Sequence, residues 1–151
     1  MQFAGSVTIN APRDRVYAFL IDPRRVGPCG PGFESVVVRD PTHFRGVAKV
    51  GVRFISMRFN VDVEVVEAVE NEMAVLRGTG QAPGSSVEGT ARMRLSDAPA
   101  GGTRMDWQAD VAIHGRIAGV GARLLQGTAE KLIARTFACI GSTLESATPA
   151  A

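Results

Sequence analysis

Cysteine and histidine are scarce in this sequence, and the few that occur lie far apart. The cysteines are Cys29 and Cys139, the histidines are His43 and His114, and neither cysteine belongs to a CxxC pair. Because a zinc site needs several such ligands at close spacing, this composition argues against the common zinc motifs. Cytosolic proteins keep their thiols reduced. We therefore expect Cys29 to be a partly buried thiol without a partner, and Cys139 to be reduced as well.

Aromatic residues, excess charge and long apolar runs are also missing. Aromatic residues make up 6% of the chain, and 17 basic residues against 15 acidic ones leave a formal net charge of +2. A basic groove with stacking rings is not expected from these values, so we predict no nucleic-acid partner. The sequence has neither an apolar run of ~18 residues for a membrane span nor a signal peptide at its start. We expect a cytoplasmic location.

The sequence does contain enough apolar material for one folded domain. Hydrophobic residues make up 45% of its 151 residues, and a chain of this length hides roughly two-thirds of its surface on folding. No linker, charge block or internal repeat divides it. We predict one domain over residues 1–146, followed by a frayed C-terminus over residues 147–151.

A short strand and two short helices are predicted at the start of the chain. The strand covers residues 2–9, and Pro12 suits the first turn of the helix that follows. Apolar residues at spacings of three and four give this helix one buried face. A second short helix is predicted over residues 23–26. The Pro/Gly-rich stretch over residues 27–32 is predicted to be a loop or a tight turn.

From residue 33 onward, apolar and polar residues alternate with a period of two, which is typical of half-buried strands. The alternation changes phase near residues 51–55, and this change predicts a turn or a bulge there. Further turns are predicted at residues 70–72, 81–85 and 99–102. Consecutive strands with one apolar face form an antiparallel sheet that is solvated on one side and covered on the other.

One long amphipathic helix is predicted from Ile117 to about Leu144, and it is the candidate for covering the sheet. The predicted fold class is α+β: a helix-grip arrangement in which a curved antiparallel sheet of six to seven strands wraps around one long C-terminal helix, with two short helices after the first strand. A helix is about 10 Å wide, whereas such a sheet is roughly 30 Å wide at ~4.8 Å per strand. Since the inner face also carries small residues such as Ala91 and Ala109, we expect an apolar cavity, the usual setting of a small-molecule site.

Two groups of residues are candidates for this site. The predicted cavity wall combines inward-facing strand residues with residues near the start of the long helix: Phe59, Met57, Val61, Ala91, Met93, Met105, Trp107, Ala109, Ile117, Gly121, Leu124, Leu125 and Thr128. The predicted cavity mouth is the Pro/Gly-rich turn: Cys29, Gly30, Pro31 and Gly32. Each group also has a plainer interpretation. The methionine and aromatic residues would suit a filled core, and the turn would suit a tight connection with positive φ at glycine.

Several segments of the sequence resemble one known family. They are FAG over residues 3–5, APxxxVYxFLxDP over 11–23, CGPGFESV over 29–36, GVAKVG over 46–51 and GRIAGVGARLL over 115–125. Together they resemble the CoxG family, whose members are named as a component of carbon monoxide dehydrogenase. This family belongs to the START-like, Bet v 1-like (SRPBCC) superfamily of helix-grip folds. The resemblance runs from about Met1 to Leu144.

The resemblance implies an accessory, non-enzymatic protein of a molybdenum CO-dehydrogenase-type oxidoreductase. It also implies a lipophilic ligand, a quinone, in the cavity, and a part in coupling that enzyme to the membrane. Some members of the family carry an extended C-terminal tail that reaches the membrane, whereas this sequence ends just after the predicted helix. Any membrane contact is therefore expected to be transient, and peripheral at the inner face of the cell membrane.

The sequence contains none of the common catalytic motifs. There is no GxSxG, no HExxH and no phosphate-binding loop, so we predict no catalytic residues, no metal and no covalent cofactor. His43 and His114 are expected on the surface or in structural hydrogen bonds. Two rival hypotheses are an adaptor that recruits the hydroxylase without a ligand, and a cyclase- or hydrolase-type helix-grip enzyme.

Overall fold

The computed structural model describes residues 1–30 and 32–146, and its elements follow the predicted order. The strands and α-helices are β1 (Gln2–Ile9), α1 (Arg13–Leu20), α2 (Pro23–Val26), β2 (Phe33–Asp40), β3 (His43–Val52), β4 (Ile55–Val69), β5 (Met73–Ala82), β6 (Ser85–Asp97), β7 (Thr103–Gly115) and α3 (Ala122–Ser146). Short 3-10 segments cover Gly27–Cys29, Pro99–Gly101 and Arg116–Val120. The predicted α+β helix-grip class is confirmed. Pro31 and residues 147–151, including the predicted frayed C-terminus, lie outside the described residues.

The seven strands form one antiparallel sheet in the order β1-β7-β6-β5-β4-β3-β2. The phase change near residues 51–55 is confirmed as a turn, since β3 ends at Val52 and β4 begins at Ile55. Arg53 in this turn has φ +54°. The turns predicted at residues 70–72, 81–85 and 99–102 also fall between strands. Turns after β3, β5 and β7 therefore share one end of the sheet, because neighbouring strands run in opposite directions.

The two short helices fill the opposite end of the sheet. Val16, Phe19 and Leu20 of α1 are all buried, as the apolar spacing predicts. Pro12 stands at the N-cap of α1, one position before its first turn. The Asp22 side chain caps α2 by accepting a hydrogen bond from the backbone N–H of Arg24 at 3.0 Å, an arrangement typical of aspartate at a helix start.

The long helix begins later than the sequence indicated, and this expectation is corrected. A 3-10 segment occupies Arg116–Val120, and α3 starts only at Ala122. Gly121 has φ +102°, which no α-helical residue adopts, so the helix cannot extend back through it. The N–H of Ile117 donates to the buried Ser85 hydroxyl at 3.0 Å, and this bond holds the 3-10 segment on β6. The 25 residues of α3 span about 37 Å.

Cys29 and Cys139 form a disulfide, and the expectation of two reduced thiols is wrong. Their Cα atoms lie 5.4 Å apart although 110 positions separate them in the sequence. The physical reason is tertiary: the 3-10 turn Gly27–Cys29 packs on α3, and the two cysteines meet in the same apolar cluster. Sequence spacing carries no sign of this contact.

The core is divided into two apolar clusters. The larger cluster joins α1, the disulfide and the C-terminal half of α3, and it contains bulky, fully buried side chains such as Phe19, Met105 and Leu144. The smaller cluster lies at the end of the sheet with the β3–β4 turn, and its buried members are Val52, Phe59, Ile117 and Leu125. The cavity described below is bounded by this smaller cluster.

Candidate functional site

A cavity of about 380 Å³ lies between the sheet and the N-terminal half of α3. Residues of β3 to β7, of the 3-10 segment and of α3 line it: Ala48, Val50, Val52, Phe59, Val61, Leu76, Gly78, Thr79, Gly80, Val87, Gly89, Thr90, Ala91, Ala109, Asp110, Val111, Ile113, Ile117, Leu125, Thr128, Ala129 and Leu132. Most of this wall is aliphatic or glycine. The expected cavity between sheet and helix is therefore present in the structure.

Small residues on neighbouring strands create the space. Gly78 of β5 pairs with Gly89 of β6, so two neighbouring positions on the sheet have no side chain. A Cβ atom added at Gly78 would meet nothing closer than 3.8 Å. Ala91 and Ala109 pair on the next two strands. The helix lies across these residues without filling the volume above them.

Seven of the residues predicted for the cavity wall line it together: Phe59, Val61, Ala91, Ala109, Ile117, Leu125 and Thr128. Met57 and Leu124 pack beside the smaller cluster and do not line the cavity. Gly121 is exposed at the start of α3. The prediction is corrected at these three positions, because the helix begins after Gly121 and its first turn lies beyond the cavity.

Met93, Met105 and Trp107 do not line the cavity, which corrects the prediction for these residues. Met105 is fully buried and Met93 is 7% exposed, both in the larger cluster. Trp107 packs on Phe137 with ring centroids 5.0 Å apart. Strand alternation indicates the inner face correctly, but it does not tell how far along the strand the filled interior ends. These three residues lie towards the end that α1 and the C-terminal half of α3 fill.

The predicted mouth residues lie away from the cavity as well. Cys29 is buried in its disulfide in the larger cluster, and neither Gly30 nor Gly32 lines the cavity. Gly32 has φ +76°, and its carbonyl accepts the N–H of Lys49 at 2.8 Å. The geometry matches the plainer interpretation, a tight connection onto β3. Pro31 lies outside the described residues.

Sequence reasoning missed the glycines of β5 and several aliphatic wall residues. Gly78 and Gly80 face the cavity because they alternate with outward-facing residues of β5. The missed aliphatic positions are Val50, Val52, Leu76, Val87, Val111, Ile113 and Leu132. Period two would have indicated those on strands, and the helical spacing from Leu125 through Ala129 to Leu132 would have indicated those on α3.

Thr128 and Asp110 are the polar wall residues with the most chemical interest. The Thr128 hydroxyl of α3 is half-buried, and within the described residues it makes no hydrogen bond. Asp110 is exposed, and alternation on β7 turns its side chain to the outer face, so its backbone borders the cavity. No three His, Cys, Asp or Glu side chains in the described part of the chain are grouped to hold a metal ion.

Both histidines lie outside the cavity. His43, at the start of β3, has Nδ1 2.9 Å from Asp40 Oδ1 and Nε2 3.7 Å from Glu64 Oε1. The hydrogen bond from His43, with a second from the Thr42 N–H, lowers the pKa of Asp40 to about 2. His114 lies 3.6 Å from Glu88. These are exposed ion pairs on the outer face of the sheet, not groups aimed at a bound molecule.

A second, wider groove of about 1230 Å³ runs between β1 and α3. Edge-strand residues such as Ser6 and Thr8 form one side, and Glu130 and Glu145 of α3 stand on the other. The groove is open and its lining is mixed polar and apolar. The cavity of 380 Å³ is the better candidate for a lipophilic molecule because its wall is almost entirely apolar.

The curved seven-stranded sheet, the long C-terminal helix and the apolar cavity between them define a START-like helix-grip protein. The chain belongs to the CoxG family, because the family model described as the carbon monoxide dehydrogenase component CoxG matches residues 5–145. None of the curated proteins matches the sequence.

Solved structures show the same fold at low sequence identity. A conserved protein from Geobacillus kaustophilus is 19% identical with a TM-score of 0.89, over 97% of this chain and 96% of that one. A START superfamily protein from Mycobacterium smegmatis is 13% identical with a TM-score of 0.73, over 97% and 99%. The Zhui aromatase/cyclase from Streptomyces sp. R1128 is 14% identical with a TM-score of 0.73, over 99% and 96%. None of the described helices combines the length and apolar character needed to cross a bilayer.

Proposed function

We propose that this chain is a non-enzymatic accessory protein of a molybdenum CO-dehydrogenase-type oxidoreductase. It binds a lipophilic molecule, a quinone, in the cavity between sheet and helix, and it helps to couple the enzyme to the membrane. The observation that carries the proposal is an apolar cavity of about 380 Å³ in a chain of the CoxG family. An adaptor without a ligand would have no need of this space.

The chemistry of the wall supports a lipophilic ligand. A charged or sugar-like molecule would lose its hydration there and find few partners, which costs several kcal/mol. An apolar tail gains ~0.8 kcal/mol for each buried CH₂. The volume lies near the lower end of the ~300–1,000 Å³ of small-molecule sites. It therefore suits a quinone ring with the first part of its tail, and a longer tail would extend out of the cavity.

The cavity also supports a carrier rather than a catalyst. Among the described residues, the side chains that alternate into it include no histidine, cysteine or carboxylate, and Asp110 is exposed on the other face. General acid–base and nucleophilic catalysis both need such a group beside the bound molecule. The Thr128 hydroxyl supplies one hydrogen-bond donor, which fits the orientation of a quinone carbonyl.

We place the chain on the cytoplasmic side, peripheral at the inner face of the membrane. The Cys29–Cys139 disulfide argues in the other direction, because disulfides persist mainly in oxidising compartments. Alkylation of thiols in intact cells before lysis tests the location directly. Two alkylated cysteines on the isolated chain fit a reducing cytoplasm, whereas a fully protected pair would contradict this placement.

The test of ligand binding is to fill the cavity from the sheet side. The variant Ala91→Leu/Ala109→Leu adds bulk at two paired positions of the wall. The matched control is Ala112→Leu on the same strand, whose side chain faces the outer surface. We expect native mass spectrometry to show menaquinone bound to the wild type and to the control, and at least tenfold weaker binding to the double variant.

Folding and partner binding are followed in the same experiment. Circular dichroism must show the double variant folded, and a pull-down measures its binding to the hydroxylase. A wild type that stays free of ligand when offered menaquinone or ubiquinone would refute the carrier proposal. Hydroxylase binding that persists in a folded variant without quinone would separate the adaptor role from the carrier role.

A further inference from the structure

The turn between β3 and β4 exposes a large apolar side chain. Phe54 is 101% exposed, and Ile55 beside it is 40% exposed. Exposed turns are normally polar, and a phenylalanine that touches nothing in its own chain gains no burial from folding. Its neighbour Arg53 adopts a positive φ of 54°, a conformation that directs the turn outward from the sheet. The turn thus presents an aromatic ring to whatever approaches this end of the molecule.

The same end of the molecule is basic. The three segments that form it, residues 47–57, 78–87 and 111–129, contain no aspartate or glutamate, although the chain has 15 acidic residues. They carry the exposed arginines Arg53, Arg116 and Arg123. None of these arginines has an ion-pair partner within the described residues. The opposite end has the reverse character, since its β4–β5 turn contains Glu70 and Glu72.

The arginines and Phe54 surround the cavity's own end of the fold. Each arginine is next in sequence to a member of the smaller cluster: Arg53 to Val52, Arg116 to Ile117, and Arg123 to Leu124. Val52 and Ile117 also line the cavity. The side chain of Arg116 packs over Gly84 in the β5–β6 turn. We call Arg53, Phe54, Ile55, Arg116 and Arg123 the basic end.

We propose that the basic end docks on an anionic lipid bilayer. Phe54 and Ile55 enter the boundary between head groups and acyl chains, and the three arginines bind lipid phosphates. An apolar tip inside a ring of unpaired cations is the combination that favours such a surface over an acidic protein. The docked orientation brings the cavity against the membrane, where a lipophilic ligand resides. The use of this contact for loading rests on the proposed function, whereas the docking itself needs no ligand.

Vesicle flotation without quinone tests the docking. Vesicles of phosphatidylcholine alone are compared with vesicles that contain about 30% phosphatidylglycerol, which reproduces an anionic surface. We expect the full chain to bind only the anionic vesicles and to dissociate as salt rises and the Debye length falls below about 10 Å. Each arginine is expected to strengthen binding about fivefold, so Arg53→Asn/Arg116→Gln/Arg123→Gln should bind about a hundredfold more weakly.

The variants are chosen to leave the fold intact. Asparagine tolerates the positive φ of position 53, and Phe54→Ser removes a side chain that touches nothing. We expect severalfold weaker vesicle binding from Phe54→Ser. The matched controls are Val37→Ser, at an exposed apolar position on the edge strand β2, and Arg92→Gln/Arg94→Gln on the exposed face of β6. Both controls should bind vesicles as the wild type does.

Two results would overturn the docking proposal. One is equal binding to neutral and anionic vesicles, or to neither. The other is undiminished binding by the arginine and Phe54 variants, which would place any lipid contact elsewhere. Binding of menadione, a soluble quinone without a tail, is measured separately by native mass spectrometry. A wild type that binds anionic vesicles but not menadione supports docking and counts against the carrier proposal, so the two failures are distinguishable.

Discussion

Reduction of the Cys29–Cys139 disulfide is expected to destabilise the fold strongly. The bond closes a loop of 110 residues, and opening it restores conformational entropy to the unfolded chain. The loop-closure relation gives about 4.8 kcal/mol for this length at 25 °C. Domains of this size are stable by only about 5–15 kcal/mol. The disulfide therefore accounts for a large fraction of the free energy of unfolding.

Urea unfolding of one protein preparation, with and without reductant, measures this contribution. With an m-value of about 2 kcal/mol/M, the transition midpoint should fall by about 2 to 3 M on reduction. The double variant Cys29→Ser/Cys139→Ser serves as the control, because its midpoint should not respond to reductant. Amide exchange should increase mainly in the C-terminal half of α3, where Cys139 lies.

Two observations would refute this reasoning. Thiol titration of the unreduced, denatured protein should find no free thiol, and two reactive thiols would show that the bond does not form. An unchanged midpoint after complete reduction, verified by mass, would show that the bond adds nothing to stability. In that case the packing of the Gly27–Cys29 turn on α3 would hold the helix without it.

Three further predictions follow from single residues. Thr128→Val should weaken quinone binding about fivefold, the net value of one hydrogen bond, and an equal Kd in native mass spectrometry would remove Thr128 from ligand recognition. Gly115→Ala should lower the Tm by several degrees because Gly115 has φ +88° and its new Cβ would meet the Gly84 carbonyl; an unchanged melting curve would contradict this backbone geometry. His43→Ala should raise the pKa of Asp40 from about 2 towards 3.8, as followed by NMR titration. Since the folded pKa is the lower one, any stability from Asp40 is present above pH 4 and is lost as pH falls towards 2, and a pKa that does not move would exclude His43 as its cause.

The strands and turns were predictable because their signal is local. On β7, from Thr103 to Gly115, apolar and polar residues alternate without a break, and the side-chain period of a strand is two. The turn at Arg53 and Phe54 was visible as a change in that phase. The need for a cavity also followed from local facts, namely small residues on an inner face that a single helix covers.

The position of the cavity and the disulfide were not predictable, because both depend on distant contacts. Alternation places Met105 and Ala109 on the same face of β7, yet Met105 is fully buried in the larger cluster and Ala109 lines the cavity. What separates them is the helix α1, which fills one end of the sheet and is absent from the other. Likewise Cys29 and Cys139 meet only because α3 returns past the Gly27–Cys29 turn.

The two clusters divide α3 into halves with different physical roles. Its C-terminal half is held by the disulfide and by Ile140 and Leu144, which are 2% and 0% exposed. Its N-terminal half covers the cavity, follows Gly121, and borders residues that leave about 380 Å³ unfilled. Bulky substitutions near Leu144 therefore meet a filled interior and cost stability, whereas bulky substitutions facing the N-terminal half meet open space. Binding and stability can thus be changed independently by choosing the half of α3 that the substitution faces.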